Sequence, residues 1–299
     1  MKRLLFLVLV ILCSCQSNKK ESVSSNSKPV PPPEPYFVDI KVNDVKLDKP
    51  AYGDWLFFHK EKGQSFEKFL NTKHVVPTQE ENIIYLQPIG KFNADQIKQI
   101  ELVRQYLQVF FQLETITLKG ISNDIIPKHA RRIGDVGQEQ LLAGYILDSV
   151  LKKEKPPKRA ALMAITEKDL YPKPEWNYVF GLASYRDKIA VSSIHRMQKE
   201  VDFNGCLDRF LKICSHEIGH MFGLNHCIEA NCVMNGTNSM SETDRHSIRL
   251  CSLCQRKLHS GFQYDNMKRL AELEKYFKEN NLNEGLALMK KDIEKIKNN

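Results

Sequence analysis

The stretch 216–254 constrains this chain more than any other. His216, Glu217, His220, Gly223 and His226 spell H-E-x-x-H-x-x-G-x-x-H. Cys227, Cys232, Cys251 and Cys254 follow as C-x4-C and C-x2-C, the first cysteine directly after the last histidine. On a helix, positions i and i+4 share a face, so His216 and His220 can point at one metal. Glu217 can then reach water at that metal without binding it. A continuing helix would carry His226 about 9 Å further along the axis and off the ligand face. Gly223 removes the difficulty, because glycine accepts positive φ and ends a helix at little cost. Three neutral imidazoles with an open fourth position describe a catalytic zinc site. Zinc there would acidify water and polarise a carbonyl, with Glu217 as the general base.

The rest of the chain is long enough to carry such a site. At 299 residues and 42% hydrophobic content it can bury a substantial core. The net charge is +8, but the lysines are scattered, and no arginine-rich patch with interleaved aromatics marks a nucleic-acid partner. Apolar runs predict strands over 83–90, 115–118, 160–166, 178–183 and 189–194, with 160–166 central. Apolar spacing predicts helices over 94–111 and 138–152. Asp169-Leu170-Tyr171-Pro172 reads as a loop. The fold class is α/β: a twisted mixed sheet with packed helices. Cys206 and Cys214 lie about 12 Å apart along one helix, too far for a disulfide, and read as packing residues.

The N-terminus reads as an address. Lys2 and Arg3 precede an apolar run over 4–12, too short for a comfortable membrane span. Leu12-Cys13-Ser14-Cys15 resembles the bacterial lipobox, which implies cleavage before Cys15 and lipid attachment to its sulfur. The expected organisation is a signal peptide over 1–15, a disordered Ser/Pro-rich tether over 16–36, a catalytic domain over 37–260 and a helical hairpin over 261–299. That places a monomer in the bacterial cell envelope, held to a membrane by its lipid.

His216, Glu217, His220, Gly223 and His226 resemble the metzincin metalloproteases, with Met234 in the position of their methionine turn. Cys227, Cys232, Cys251 and Cys254, with Phe180-Gly181-Leu182-Ala183 and Tyr85-Leu86-Gln87-Pro88 upstream, narrow the resemblance to the archaemetzincin family. It implies a metzincin-like α+β fold, with an active-site helix and a small C-terminal subdomain. It implies a catalytic zinc on His216, His220 and His226 with Glu217 as base, and a structural zinc on the four cysteines, two zincs per chain. Two disulfides are the alternative for those cysteines in an oxidising compartment. Peptide or protein is the implied substrate, with endopeptidase and aminopeptidase action both open, and 188–196 is the candidate strand for aligning it. A catalytically silent, zinc-stapled lipoprotein that binds a partner is the competing reading.

Overall fold

The computed structural model describes residues 30–298. The signal peptide, Cys13, Cys15 and most of the expected tether lie outside them. An N-terminal arm comes first, with α1 (Pro35–Asp39), α2 (Trp55–Phe58) and α3 (Phe66–Asn71). Helix α1 starts two residues inside the stretch expected to be tether. Its anchors are Phe37, which is buried, and the Tyr36 hydroxyl, which donates to Gln255 at 3.1 Å.

The body then runs β1 (Ile83–Ile89), α4 (Ala94–Phe111), β2 (Glu114–Thr117), β3 (Arg131–Ile133) and β4 (Glu139–Leu142). After a short α5 (Ala143–Tyr145) come β5 (Arg159–Thr166), β6 (Asp169–Tyr171), β7 (Gly181–Ser184) and β8 (Ile189–Ser193). Helices α6 (Phe203–Met221), α7 (Met240–Arg245), α8 (Ser252–Phe262), α9 (Asn266–Glu279) and α10 (Asn283–Lys297) complete the chain.

Five strands form the main sheet in the order β2-β1-β5-β8-β7. All its pairings are parallel except β7 with β8. Side chains alternate across a strand, so each buried strand feeds two cores. Ile84 and Leu86 of β1 meet Val103 of α4 and Leu207 of α6 on one face. Tyr85 and Ile89 meet Ile146 and Leu147 on the other. The central position of β5 follows from its unbroken apolar run, as expected for a strand covered on both faces.

Three expectations are corrected. Residues 138–152 are not one helix: 139–142 are strand β4, and only then does the chain coil, first as α5, then as a π-helical turn (Ile146–Val150) and a 3-10 turn (Leu151–Lys153). Asp169-Leu170-Tyr171 is strand β6, not loop, and pairs in parallel with β4. One buried carboxylate accounts for both: Asp169 accepts from Gln138 (2.9 Å) and Gln140 (2.7 Å) and pairs with Arg196 at 2.7 Å. An unpaired buried carboxylate is costly, so this network overrides local helix preference. Third, 188–196 is not an edge. Strand β8 is paired on one side by β5 and on the other by β7. The turn after Ser184, with Lys188 at φ 56°, folds β8 back along β7 and leaves β7 outermost.

The C-terminal hairpin, α9 with α10, is locked to the body. The Tyr276 hydroxyl donates to the Leu102 carbonyl of α4 at 2.9 Å. Arg249 is the clasp: its guanidinium reaches Asp292 of α10 at 2.7 Å, Asp44 of the arm at 2.7 Å and the Ile40 carbonyl at 3.0 Å. Removing one partner from a buried ion pair strands the other's charge. Arg249→Met is therefore expected to cost about 3–5 kcal/mol in urea unfolding. A loss below about 1 kcal/mol would show that the clasp contributes no more than a surface pair.

Candidate active site and cysteine cluster

Helix α6 carries His216 and His220 on successive turns of one face, with Glu217 one residue after His216. Its end is set by Gly223, at φ +91°, where an added Cβ would also lie 2.4 Å from the Cβ of His74. The Leu224 amide donates back to the Gly219 carbonyl at 3.1 Å, and the chain turns so that His226 returns to the other two histidines. One ligand atom from each of His216, His220 and His226 lies within 4.8 Å of the others.

The second nitrogen of each ring is held. Nδ1 of His216 meets the Val233 carbonyl at 2.8 Å, and Nδ1 of His220 meets the Leu224 carbonyl at 2.6 Å. A carbonyl only accepts, so each Nδ1 must donate, and each Nε2 presents a lone pair. His226 Nδ1 meets the Glu61 carboxylate at 2.8 Å. Burial, reinforced by the neighbouring histidines, pushes His216 well below the usual imidazole range and His220 down to about 3. Neutral rings at His216 and His220, with Nδ1 of all three histidines held away from the cluster, suit the donor set a catalytic zinc requires.

Glu217 opens into the same cleft, a cavity of 780 Å³ lined also by Trp55, Trp176, Tyr178, Phe180 and Tyr185. Burial raises its carboxyl to about 8 in the metal-free protein. Space for that carboxylate comes from β7: a Cβ on Gly181 would sit 2.6 Å from Glu217 Oε1. Beneath the histidines lies Met234, fully buried, and a Cβ on Gly219 would sit 2.7 Å from its sulfur.

The four cysteines form a second closed cluster. Sulfurs of Cys227, Cys232, Cys251 and Cys254 all lie within 4.8 Å of one another, and every one of these residues is buried. Cys227 and Cys251 sulfurs are 3.7 Å apart. Zn–S bonds of about 2.3 Å in a tetrahedron give an S–S edge of about 3.8 Å. The cluster braces the methionine: the Cys227 amide donates to the Met234 carbonyl at 2.8 Å, and Asn235 ties Cys227 to Cys232 through its side chain. Cys206 and Cys214 are buried free thiols outside both clusters.

Sequence reasoning missed the arm's part in the site. Glu61 accepts from His226 and from the Trp55 indole (2.9 Å), and Trp55 stands edge-on to His226 with centroids 5.1 Å apart. Burial alone would raise Glu61, but hydrogen bonds from His226 and Trp55 outweigh it and hold the carboxyl below its usual range. Nothing in the sequence links a glutamate to a histidine 165 positions away. Glu61→Gln keeps the shape and removes the charge. Zinc affinity is expected to fall about 10–100-fold, read by competition with a chromogenic chelator. An affinity within threefold of wild type would deny Glu61 that role.

A family model described as Peptidase family M54 matches residues 158–260, which contain both ligand clusters. The chain is a zinc metallopeptidase. Archaemetzincin-2 of Mus musculus is 30% identical over 280 residues, covering 82% of this chain and 77% of that protein. The archaemetzincin of Pyrococcus furiosus is 32% identical over 182 residues, 59% of this chain and 92% of its own. The crystal structure of the Methanopyrus kandleri archaemetzincin covers 64% of this chain and all of its own, with 28% identity and a TM-score of 0.52. The chain belongs to the archaemetzincin family. That membership does not favour a catalytically silent binding lipoprotein.

Proposed function

We propose that this protein is a membrane-tethered peptidase that acts as a monomer. In this reading zinc is held by His216, His220 and His226, and Glu217 is the general base. The observation that carries it is the convergence of the three histidines, each with Nδ1 held elsewhere, beside the Glu217 carboxyl in one cleft. Zinc held there supplies a Lewis acid for the scissile carbonyl and lowers the pKa of water. The protein's own groups do the rest. The unpaired edge of β7 aligns an extended substrate through main-chain hydrogen bonds. Glu217 takes the attacking water's proton and passes it to the leaving amine. Met234 and the turn after His226 keep the three rings in place.

A second zinc on Cys227, Cys232, Cys251 and Cys254 is structural in this reading. Four buried sulfurs leave no open position for substrate. Lipid on Cys15 would hold the domain at a membrane of the cell envelope, a reading supported by the lipobox resemblance of Leu12-Cys13-Ser14-Cys15.

The test is cleavage of a broad peptide library by the zinc-loaded protein. Hydrolysis is expected to stop on zinc chelation and return when zinc is added. Hydrolysis that persists after verified metal removal would exclude this chemistry.

A further inference from the structure

The lining of the same cleft also includes Lys212, Ile213, Val233, Thr243, His246 and Ser247. Lys212 lies one turn before His216 on α6, about 6 Å back along the axis. Its neighbourhood to the reacting centre is therefore that of a side chain flanking the scissile bond. It is only 3% exposed.

Two nitrogens in this pocket are buried and have no hydrogen-bond partner among the described residues: Lys212 Nζ and His246 Nδ1. Lys212 Nζ does face Asp208 Oδ2 at 2.8 Å, but in a geometry that makes no hydrogen bond. Two further acids lie nearby: Asp244 is held by Arg209 at 2.6 Å, and Glu284 of α10, whose carboxyl burial raises, feels the Lys212 charge without a hydrogen bond to it. Burial, Arg245 and Lys212 push His246 down to about 4, so it stands as a neutral ring beside a cation. An ammonium has three donors, and a neutral imidazole has one. Buried donors left unmade are costly, and an acceptor arriving with a ligand relieves that cost.

We propose that this pocket is a subsite for an acidic side chain, aspartate or glutamate, flanking the scissile bond, with Lys212 and His246 as the residues that select it. The assignment rests on the peptidase reading above. A carboxylate accepts from the Lys212 ammonium and also from His246 in the tautomer that carries its proton on Nδ1, whereas an amide of the same shape presents one acceptor and a competing NH2 group. An aliphatic side chain leaves both donors unmade. Discrimination of this kind comes from the site's unpaired polar groups rather than from shape.

The experiment compares kcat/KM for peptides carrying Glu, Gln or Leu at each position flanking the cut, using the zinc-loaded full chain. Wild type is expected to favour Glu over Gln by at least about tenfold at one position. In Lys212→Met that ratio is expected to fall to about one. In Asp208→Asn, which frees the ammonium from its neighbour, the ratio is expected to rise. Asp208→Asn also keeps the test open should Lys212→Met fail to retain zinc. Cleavage with no Glu preference, or a ratio unmoved in these variants, overturns the subsite alone. No cleavage of any peptide by wild type overturns the subsite and the peptidase reading together.

Discussion

Glu217→Gln is expected to keep its zinc and to lose peptide hydrolysis by about 10²–10⁴-fold, the usual contribution of a positioned general base. The substitution is nearly isosteric and removes only the ability to accept and return a proton. Glu217 is outside the three-histidine cluster, so metal content should not change. It lies one residue after His216, on a helix whose end is fixed by Gly223, so the ligand frame should not move either. The carboxylate occupies space that exists only because Gly181 has no side chain, and a glutamine amide of the same size fits there. Loss of activity without loss of zinc therefore reports on proton transfer. Hydrolysis within tenfold of wild type, with zinc intact, would remove Glu217 from the mechanism. Zinc loss in the same variant would mean that it holds the ligand frame instead.

The parts of this site written in local spacing were legible. His216 and His220 meet because helix geometry demands it, and Gly223 turns the chain because only its backbone takes φ +91° at that cost. The apolar run of β5 announced a central strand for the same local reason. What was hidden depends on partners far away in sequence. Gln138 and Gln140 pair with Asp169, so a segment with helical spacing becomes β4. The outermost strand is β7 because a hairpin covers β8, and no periodicity reports which strand of a sheet lies at its edge. Glu61 and Trp55 reach His226 across an arm whose sequence carries no repeating pattern. The docking of α10 likewise rests on Arg249 meeting Asp292, a pairing of two ordinary charges until both are seen buried.

The cysteine cluster should behave as part of the catalytic apparatus, although it touches no substrate. Cys232→Ser is expected to lose one zinc of two and most of the activity, with the fold of 227–254 loosened. Structural zinc contributes apparent folding free energy on the order of 10–16 kcal/mol in small zinc domains, comparable to the whole stability of an ordinary domain. Zinc on these four cysteines would deliver that energy beside the active site. Cys227 follows His226 directly, its amide holds the Met234 carbonyl at 2.8 Å, and the Val233 amide next to it holds the Arg249 carbonyl at 3.0 Å. Val233 in turn holds His216 through its own carbonyl. Opening the cluster thus releases the methionine, the partner of one ligand and the neighbour of another. The same geometry supports metal over disulfides. Sulfurs 3.7 Å apart match the edge of a zinc tetrahedron and are far beyond the S–S bond of about 2.05 Å. Wild-type protein is expected to carry two zincs and, after denaturation with chelator, to expose six thiols from the described cysteines. One zinc and two thiols would mean that the four sulfurs close as disulfides. Cys232→Ser would then act by unpairing a bond rather than by emptying a metal site.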